Sequence, residues 1–530
     1  MAKNCSKPHS KPKFILPDEL PATVEECHTL IRDMMDYFEN TGHKERRRNR
    51  DKFGPRSAQT PADNLSGPGK ELYNRTKQAI KEEKISRGII EESENKHAGG
   101  GRKAPDAAKE EETQKHELTD DDLLCPCCKV AREPAGFRVS TQLERIPARF
   151  KRIRHVEYKY SCRNCNSEMI TALKPYQPID KGYPGPRLLA HVITSKMAHH
   201  LPLYRQEQIF HNLGIPLKRS VLSRWLKRSA EEFELLWDLM REKAMEGRII
   251  FNDETSMPFI LKGLGKTKTG SIWYFGGDDQ HPYNIYEFAE TGSGDTVEKF
   301  LAGFFGVVLT DGTNKLDDFF KVKDKDGEQA ISARCWAHVY RYFEDAKHAE
   351  EAEADYALGL IKSLFHIDSF AFTLPEDECL ALRQRLSKPI VEEFKTWLDA
   401  QNESAAPTSL LRAVKYTLGQ WNGLVQFLNY GFVKLHNNDS ENALRAIVLG
   451  RRNWLFAGSA SGGKASAILM TLVQTCRRLR IDPEEYLEDV LRRMPGCTKK
   501  ELEQFLPDRW KALKDAASTS NHPTEQTRCA

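Results

Sequence analysis

The sequence predicts a multidomain α+β chain: a small zinc ribbon, a basic helical region, and an α/β domain broken by a helical insertion. Three observations predict it. Two CxxC pairs stand at 125–128 and 162–165. Short β-rich runs separated by turns fill 247–339, among them RIIFNDETSMPFI, GSIWYFGG and GVVLTDG. Charged helical sequence fills 340–430 before mixed sequence returns.

The bulk properties set limits. A chain of 530 residues suggests two to four domains. The net charge of +4 is the small difference between 80 basic and 76 acidic residues, so local clusters carry any electrostatic argument. The basic opening MAKNCSKPHSKPKF lacks the apolar core of a signal peptide, and no run of 18 apolar residues occurs. A cytoplasmic chain with no membrane role is expected, in a reducing compartment where clustered cysteines are metal ligands before they are disulfides.

Residues 1–57 hold an amphipathic helix at 18–39 and then the segment HKERRRNRDKFGPRS, with seven Lys/Arg against two acids. Arg46, Arg47 and Arg48 in that cluster are candidate DNA-phosphate contacts, against the alternative of a solvated loop. Residues 58–119 are rich in Gly, Pro, Ser, Glu and Lys and read as a disordered linker. In 120–170, Cys125, Cys128, Cys162 and Cys165 form a tetrahedral thiolate set for structural Zn²⁺, each pair on a tight turn. Arg149 and Arg152 beside it favour a nucleic-acid role. Residues 171–245 are helical and basic. Within them 203–230 reads helix, turn, helix, with Gly214 closing the first helix. Arg224, Lys227 and Arg228 on the second suit a helix-turn-helix on DNA or the solvated face of an αα-hairpin.

The carboxylates carry the chemistry. Asp253 follows the apolar run RIIF, and Asp311 follows GVVLT; both runs read as buried strands. Glu254, next to Asp253, faces the other side of its strand. Glu441 falls in the first turn of a helix capped by Asp439 or Ser440. Each alone is ordinary: a turn aspartate, or a favourable helix N-terminal glutamate. Together they are the hard oxygen set that holds two Mg²⁺ or Mn²⁺ ions about 3.5–4 Å apart for phosphodiester chemistry. The β-β-β-α-β order of 247–312 matches the ribonuclease-H-like plan, with Asp253 on the first strand and Asp311 at the end of the fourth. The segment GSASGGKAS, 458–466, approaches a phosphate-binding loop, but Ala465 stands where the metal-binding Ser/Thr is needed.

The strings NDETSM, LTDG, CWAH and NNDSENALRAIVLGRRNWLFAGSASGG resemble the insertion-sequence 66 family of bacterial transposases over roughly 120–495. The resemblance implies a zinc-ribbon region at 120–170 and a ribonuclease-H-like catalytic domain at 246–480 with a helical insertion at 340–430. A C-terminal helix and tail at 481–530 complete it. It assigns the catalytic triad to Asp253, Asp311 and Glu441. It further implies Mg²⁺-dependent cleavage of element ends and strand transfer into target DNA in the bacterial nucleoid. Its implied partners are a homo-oligomer on DNA and accessory proteins of the same element. The alternatives are an inactive zinc and helix-turn-helix DNA-binding derivative, and a nuclease that cuts without joining.

Overall fold

The computed structural model describes residues 65–87, 127, 148–161, 169–174, 176–179, 182–261, 263, 265–323, 325, 327–348, 350–404 and 408–520. Arg46, Arg47 and Arg48, and the cysteines 125, 128, 162 and 165, lie outside them. The chain forms two compact units: 84–176 with 209–216, and 1–83 with 177–208 and 217–530.

In the smaller unit, β1 (Lys159–Tyr160) pairs antiparallel with β2 (Ile170–Thr171), in register Lys159↔Thr171. The two strands bracket the segment that contains Cys162 and Cys165. Arg149 and Arg152 are exposed. The Phe150 and Phe210 rings meet edge to face at 5.6 Å.

The larger unit opens with α1 (Gly67–Ser86). The expected disordered linker at 58–119 is therefore helical over part of its length. The reason is an i, i+4, i+8 stripe, Leu72, Thr76 and Ile80, hidden among charges; all three are buried. Ile80 packs with Ile367, Phe370, Ala371, Cys379 and Leu382. Ser66 Oγ donates to Asp355 at 2.5 Å.

Helices α2 (Pro186–Met197), α3 (Leu203–Asn212), α4 (Arg219–Glu232) and α5 (Glu234–Met245) follow. Gly214, at φ +80°, ends α3 as its sequence position suggested. The helical region 171–245 does not stand apart as expected. Residues 177–208 and 217–245 fold into the unit that holds the central sheet. Leu222, Trp225 and Leu226 of α4 are buried, and its apolar face packs on a later helix, α13 (Ala460–Arg478).

The sheet comprises β3 (Ile249–Ile260), β4 (Thr267–Gly276), β5 (Asn284–Ala289), β6 (Val307–Thr310) and β7 (Ile331–Arg334), in the order β5-β4-β3-β6-β7. The first three pair antiparallel; β3–β6 and β6–β7 are parallel. The crossover from β5 to β6 carries α6 (Asp295–Phe300). Strand β6, VVLT, is buried throughout, as a strand covered on both faces must be. The edge strand β5 is sealed by α13: the hydroxyls of Thr471 and Thr475, one turn apart, accept from the amides of Tyr286 and Asn284 at 2.9 and 3.0 Å. Gly463 opens this contact, because a Cβ there would strike the Phe288 ring at 2.7 Å.

After β7 the insertion runs through α7 (Trp336–Ala346), α8 (Glu351–Ala371), α9 (Glu376–Leu382), a π-turn at 383–387, α10 (Lys388–Ser404) and α11 (Ser409–Gly419). Arg383 is buried at the π-turn, held by Asp368 at 2.5 Å and by the carbonyls of Phe427, Tyr430 and Gly431. The chain returns to the sheet in α12 (Asn438–Trp454) and α13. It finishes with α14 (Pro483–Arg493), packed on α2, and α15 (Pro507–Ser520). Among the described residues no helix is long and apolar enough to cross a membrane.

The α1–α8 crossing rests on two glycines. A Cβ on Gly359 would lie 2.5 Å from the Gly69 Cα and carbonyl oxygen, and these backbone atoms cannot swing aside. Gly359→Ala gains up to about 1 kcal/mol of helix propensity, yet overpacking costs about 1–3 kcal/mol. The clash should win. The variant is expected to melt at lower temperature and to be cleaved faster within 67–86 in limited proteolysis. Unchanged protection there would show that α1 is not held by this contact.

Candidate active site

Strand register brings the two aspartates near each other. Phe251 pairs with Leu309 across the parallel β3–β6 ladder. The ladder ends there, and Asp253 and Asp311 each lie two residues beyond its last pair, near enough for the Asp311 charge to act on Asp253. Asp253 faces Tyr274 of β4, and its neighbour Glu254 pairs with Trp273. Glu254 ion-pairs with Lys315, as alternation along a strand requires of a residue on the opposite face. Asp311 lies one residue past β6, where Gly312 takes φ +96° and lets the chain turn away. The Asp311 carboxylate accepts from the Thr313 amide at 3.2 Å, and its main-chain carbonyl accepts from the Tyr416 hydroxyl at 2.9 Å.

Glu441 arrives from far along the sequence, in the first turn of α12. The residue that caps this helix is Asn437, one turn before Glu441, rather than Asp439 or Ser440. Asn437 is buried. Its Nδ2 donates to the Asn252 carbonyl at 2.8 Å, its Oδ1 accepts from Ser440 Oγ at 2.5 Å, and its amide donates to Cys335 Sγ at 3.2 Å. Asn252 in turn donates to the Tyr274 carbonyl at 3.0 Å. This chain of amides ties the start of α12 to the strand position just before Asp253. Asp439 instead ion-pairs with Lys434 at 2.7 Å.

The electrostatics are those of crowded carboxylates. Asp253 is pushed up to about 8, first by burial and then by the negative charges of Asp311 and Glu441, against the hydrogen bond from the Glu254 amide. Glu441 ion-pairs with Arg341 of α7, and His338 Nε2 lies 4.0 Å from the same oxygen. Arg341 also contacts His338 at 3.2 Å. Burial, with the Arg341 charge, holds His338 below its ordinary value, while Asp311 and Glu441 oppose the shift. His338 Nδ1 is buried with no partner among the described residues.

An all-carboxylate donor set with surplus negative charge fits a hard divalent cation. Among the described residues no three such groups are yet grouped closely enough to hold one. Glu441 is engaged by Arg341 instead. Asn437, His338 and Arg341 were missed in the sequence; only the string CWAH, before a predicted helix, pointed towards His338. A cavity of about 400 Å³ lies beside the site, lined by Phe320, Ile331, Arg334, Gln420 and Gln426, but by none of the three carboxylates. Arg334 joins the two, donating to Thr310 Oγ1 at 2.5 Å.

The DNA-contact candidates divide. Arg224 and Arg228 are exposed on α4, with Arg228 paired to Glu231 at 2.8 Å. Lys227 is engaged by Ser459 and Ser461 at 3.2 and 3.1 Å. The glycine-rich segment 458–466 is the start of α13, capped by Ser459, and its Lys464 pairs with Glu234 at 2.5 Å.

Three family profiles match in chain order: a zinc-finger binding domain of transposase IS66 over 122–166, the transposase IS66 family over 181–465, and the IS66 C-terminal element over 471–507. The chain belongs to the IS66 transposase family. The IS66 match spans Asp253, Asp311 and Glu441, and the zinc-finger match spans Cys125, Cys128, Cys162 and Cys165. Relatives in Sinorhizobium fredii are the uncharacterized proteins y4jD, y4hP and y4qI. They are 32%, 33% and 31% identical, covering 73%, 74% and 76% of this chain and 78%, 74% and 76% of their own.

The raised carboxyl of Asp253 has a consequence for this IS66-family chain without metal. The unfolded aspartate ionises near 3.8, the folded one near 8, so between these values unfolding releases a proton. Stability therefore falls as pH rises through that window; the penalty is absent below it and complete above it. Asp253→Asn removes the penalty. With a chelator present, its melting temperature should exceed the parent's by a margin that grows from pH 4 to pH 8, reaching on the order of 2 °C or more. Thermal unfolding of both proteins across pH would show it; parallel curves would mean Asp253 is not strained in this way.

Proposed function

We propose that this IS66-family chain is a DDE transposase that cuts the ends of an insertion sequence and joins them to target DNA. The observation that carries the reading is the placement of Asp253 on β3 and Asp311 just past β6, each two residues beyond the last pair of their parallel ladder, with Glu441 on a helix clamped to β3 through Asn437. The sheet order, with the first strand central between an antiparallel and a parallel half, supports a ribonuclease-H-like domain.

Divalent cations bound by the three carboxylates would activate the attacking oxygen and stabilise the leaving oxygen. The protein's own residues do the rest. The sheet fixes the aspartates, and the Asn437 clamp fixes the glutamate. Arg341 neutralises Glu441 until a cation takes it, and then presents its guanidinium beside a phosphate. Attack by water at the element end leaves a 3′-hydroxyl, which attacks a target phosphodiester in turn. Exposed Arg149, Arg152, Arg224 and Arg228 supply phosphate contacts, with Arg46, Arg47 and Arg48 from the N-terminal segment. Action on two element ends calls for a homo-oligomer on DNA, and accessory proteins of the same element are further partners.

Asp253→Asn, Asp311→Asn and Glu441→Gln should each lower cleavage of labelled element ends by at least about 10³-fold, as loss of a group acting only in the transition state does. Gel-shift affinity for the same ends should hardly change. Near-parental cleavage by any one variant would remove that residue from the site.

The cysteines 125, 128, 162 and 165, within the zinc-finger match, form the second part of the reading. They would hold one structural Zn²⁺ per chain. Metal analysis of the purified protein is expected to find one zinc, and to find it lost in the double variant Cys162→Ser with Cys165→Ser. A zinc-free parent would refute the ribbon.

A further inference from the structure

Leu455 closes α12 in a backbone conformation that side chains avoid, with φ 64° and ψ −50°. The Phe456 amide donates to the Trp454 carbonyl at 2.8 Å. Leu455 is thus the middle residue of a positive-φ γ-turn, a rare and strained form. Helices commonly place glycine at such an end because it has no Cβ to clash. Strain of this kind persists only where its surroundings over-determine it. Here both sides are pinned. The Leu455 amide donates to Arg451 at 2.8 Å. Beyond the turn, the Ala457 amide donates to Pro258 at 2.9 Å and its carbonyl accepts from Ile260 at 3.0 Å, a bridge onto the end of β3.

Burial does not offset the strain. Leu455 is 63% exposed and Phe456 39%. The turn therefore holds two apolar side chains rigidly out in water. Cations lie on the residues and elements next to the turn. Arg452 is exposed, and Arg451 reaches the Ser256 hydroxyl at 2.8 Å. Lys196 sits 4.6 Å from the Trp454 ring, and Lys227 bonds Ser459 and Ser461 just past the turn. A stiff apolar tip flanked by cations, with Arg452 exposed and Arg451 and Lys227 half-buried, matches duplex DNA: the cations meet phosphates and the tip meets the base stack. An apolar protein surface would leave those cations unmatched.

The tip also stands on the frame that holds the carboxylates, because α12 carries Glu441 in its first turn and ends at Leu455. Fourteen residues (455 − 441) at the helical rise span about 21 Å. Duplex DNA advances about 3.4 Å per base pair, so on a duplex lying along α12 the tip falls about six steps from the site.

We propose that Leu455, backed by Phe456, is an apolar wedge that enters the base stack of element-end DNA about six base pairs from the phosphate at the carboxylates. The proposal rests on the transposase reading and adds a DNA-distorting site to it.

The test uses the full chain, a chelator to block cleavage, and duplexes of the terminal repeats flanking its gene with 2-aminopurine at successive positions. Unstacking raises 2-aminopurine fluorescence. The parent protein should give a rise confined to one or two neighbouring positions. Leu455→Gly keeps the flanking cations and relieves the turn, so its melting temperature should equal or exceed the parent's. It should bind the duplexes within about tenfold of the parent and lose the rise, while Leu455→Met should keep it. No rise with the parent at any position, or an equal rise with Leu455→Gly, would overturn the wedge; a lower melting temperature for Leu455→Gly would overturn the strain argument behind it. The same duplexes with Mg²⁺ separate the two readings. Cleavage without a rise sinks the wedge alone, and a rise without cleavage sinks the transposase reading alone.

Discussion

The hydrogen bond from Asn437 Nδ2 to the Asn252 carbonyl, 2.8 Å long, is the constraint on which the site depends. It joins residues 185 positions apart, and the whole helical insertion lies between them. Both partners are buried, so loss of the donor would leave a carbonyl without water to satisfy it. Asn437 further holds Ser440 and meets Cys335, so the end of β7, the start of α12 and the middle of β3 close on one amide. A helix fixed this tightly can present Glu441 reproducibly, which a loop could not.

Electrostatic repulsion is the opposing term. Asp253 is buried within reach of the Asp311 and Glu441 charges, and its carboxyl is held far above its ordinary value. Arg341 pairs with Glu441, and partly buried His338 feels the charges of both Glu441 and Asp311. Such an arrangement is unfavourable without a cation, because a buried carboxyl beside like charges costs stability when it ionises.

The surrounding helices are not appendages. Helix α13 seals the edge of β5 through two threonine hydroxyls and receives the apolar face of α4. Helix α1 closes on α8 at a glycine pair. The sheet, the insertion and the flanking helices therefore share one core. The exposed arginines of α4 are held in the same packed unit as Asp253, Asp311 and Glu441.

The sequence by itself determined the strands and their order along the chain, and it offered three carboxylates as candidates. The apolar runs RIIF and GVVLT are buried strand sequence, the turn after the second falls at Asp311, and the alternation at Asp253 and Glu254 set their opposite faces. It also placed Gly214 at the end of α3. It misread 58–119, because the Leu72, Thr76, Ile80 stripe is three residues wide in a polar background, and a stripe so thin gains meaning only against the partner that buries it. It separated 171–245 from the sheet, because amphipathic helices do not declare which surface they cover. Asn437, His338 and Arg341 were illegible for the same reason. A hydrogen bond or ion pair across about a hundred or more residues leaves no periodic trace, and these long-range contacts exist only once the tertiary structure has brought the donor and acceptor together.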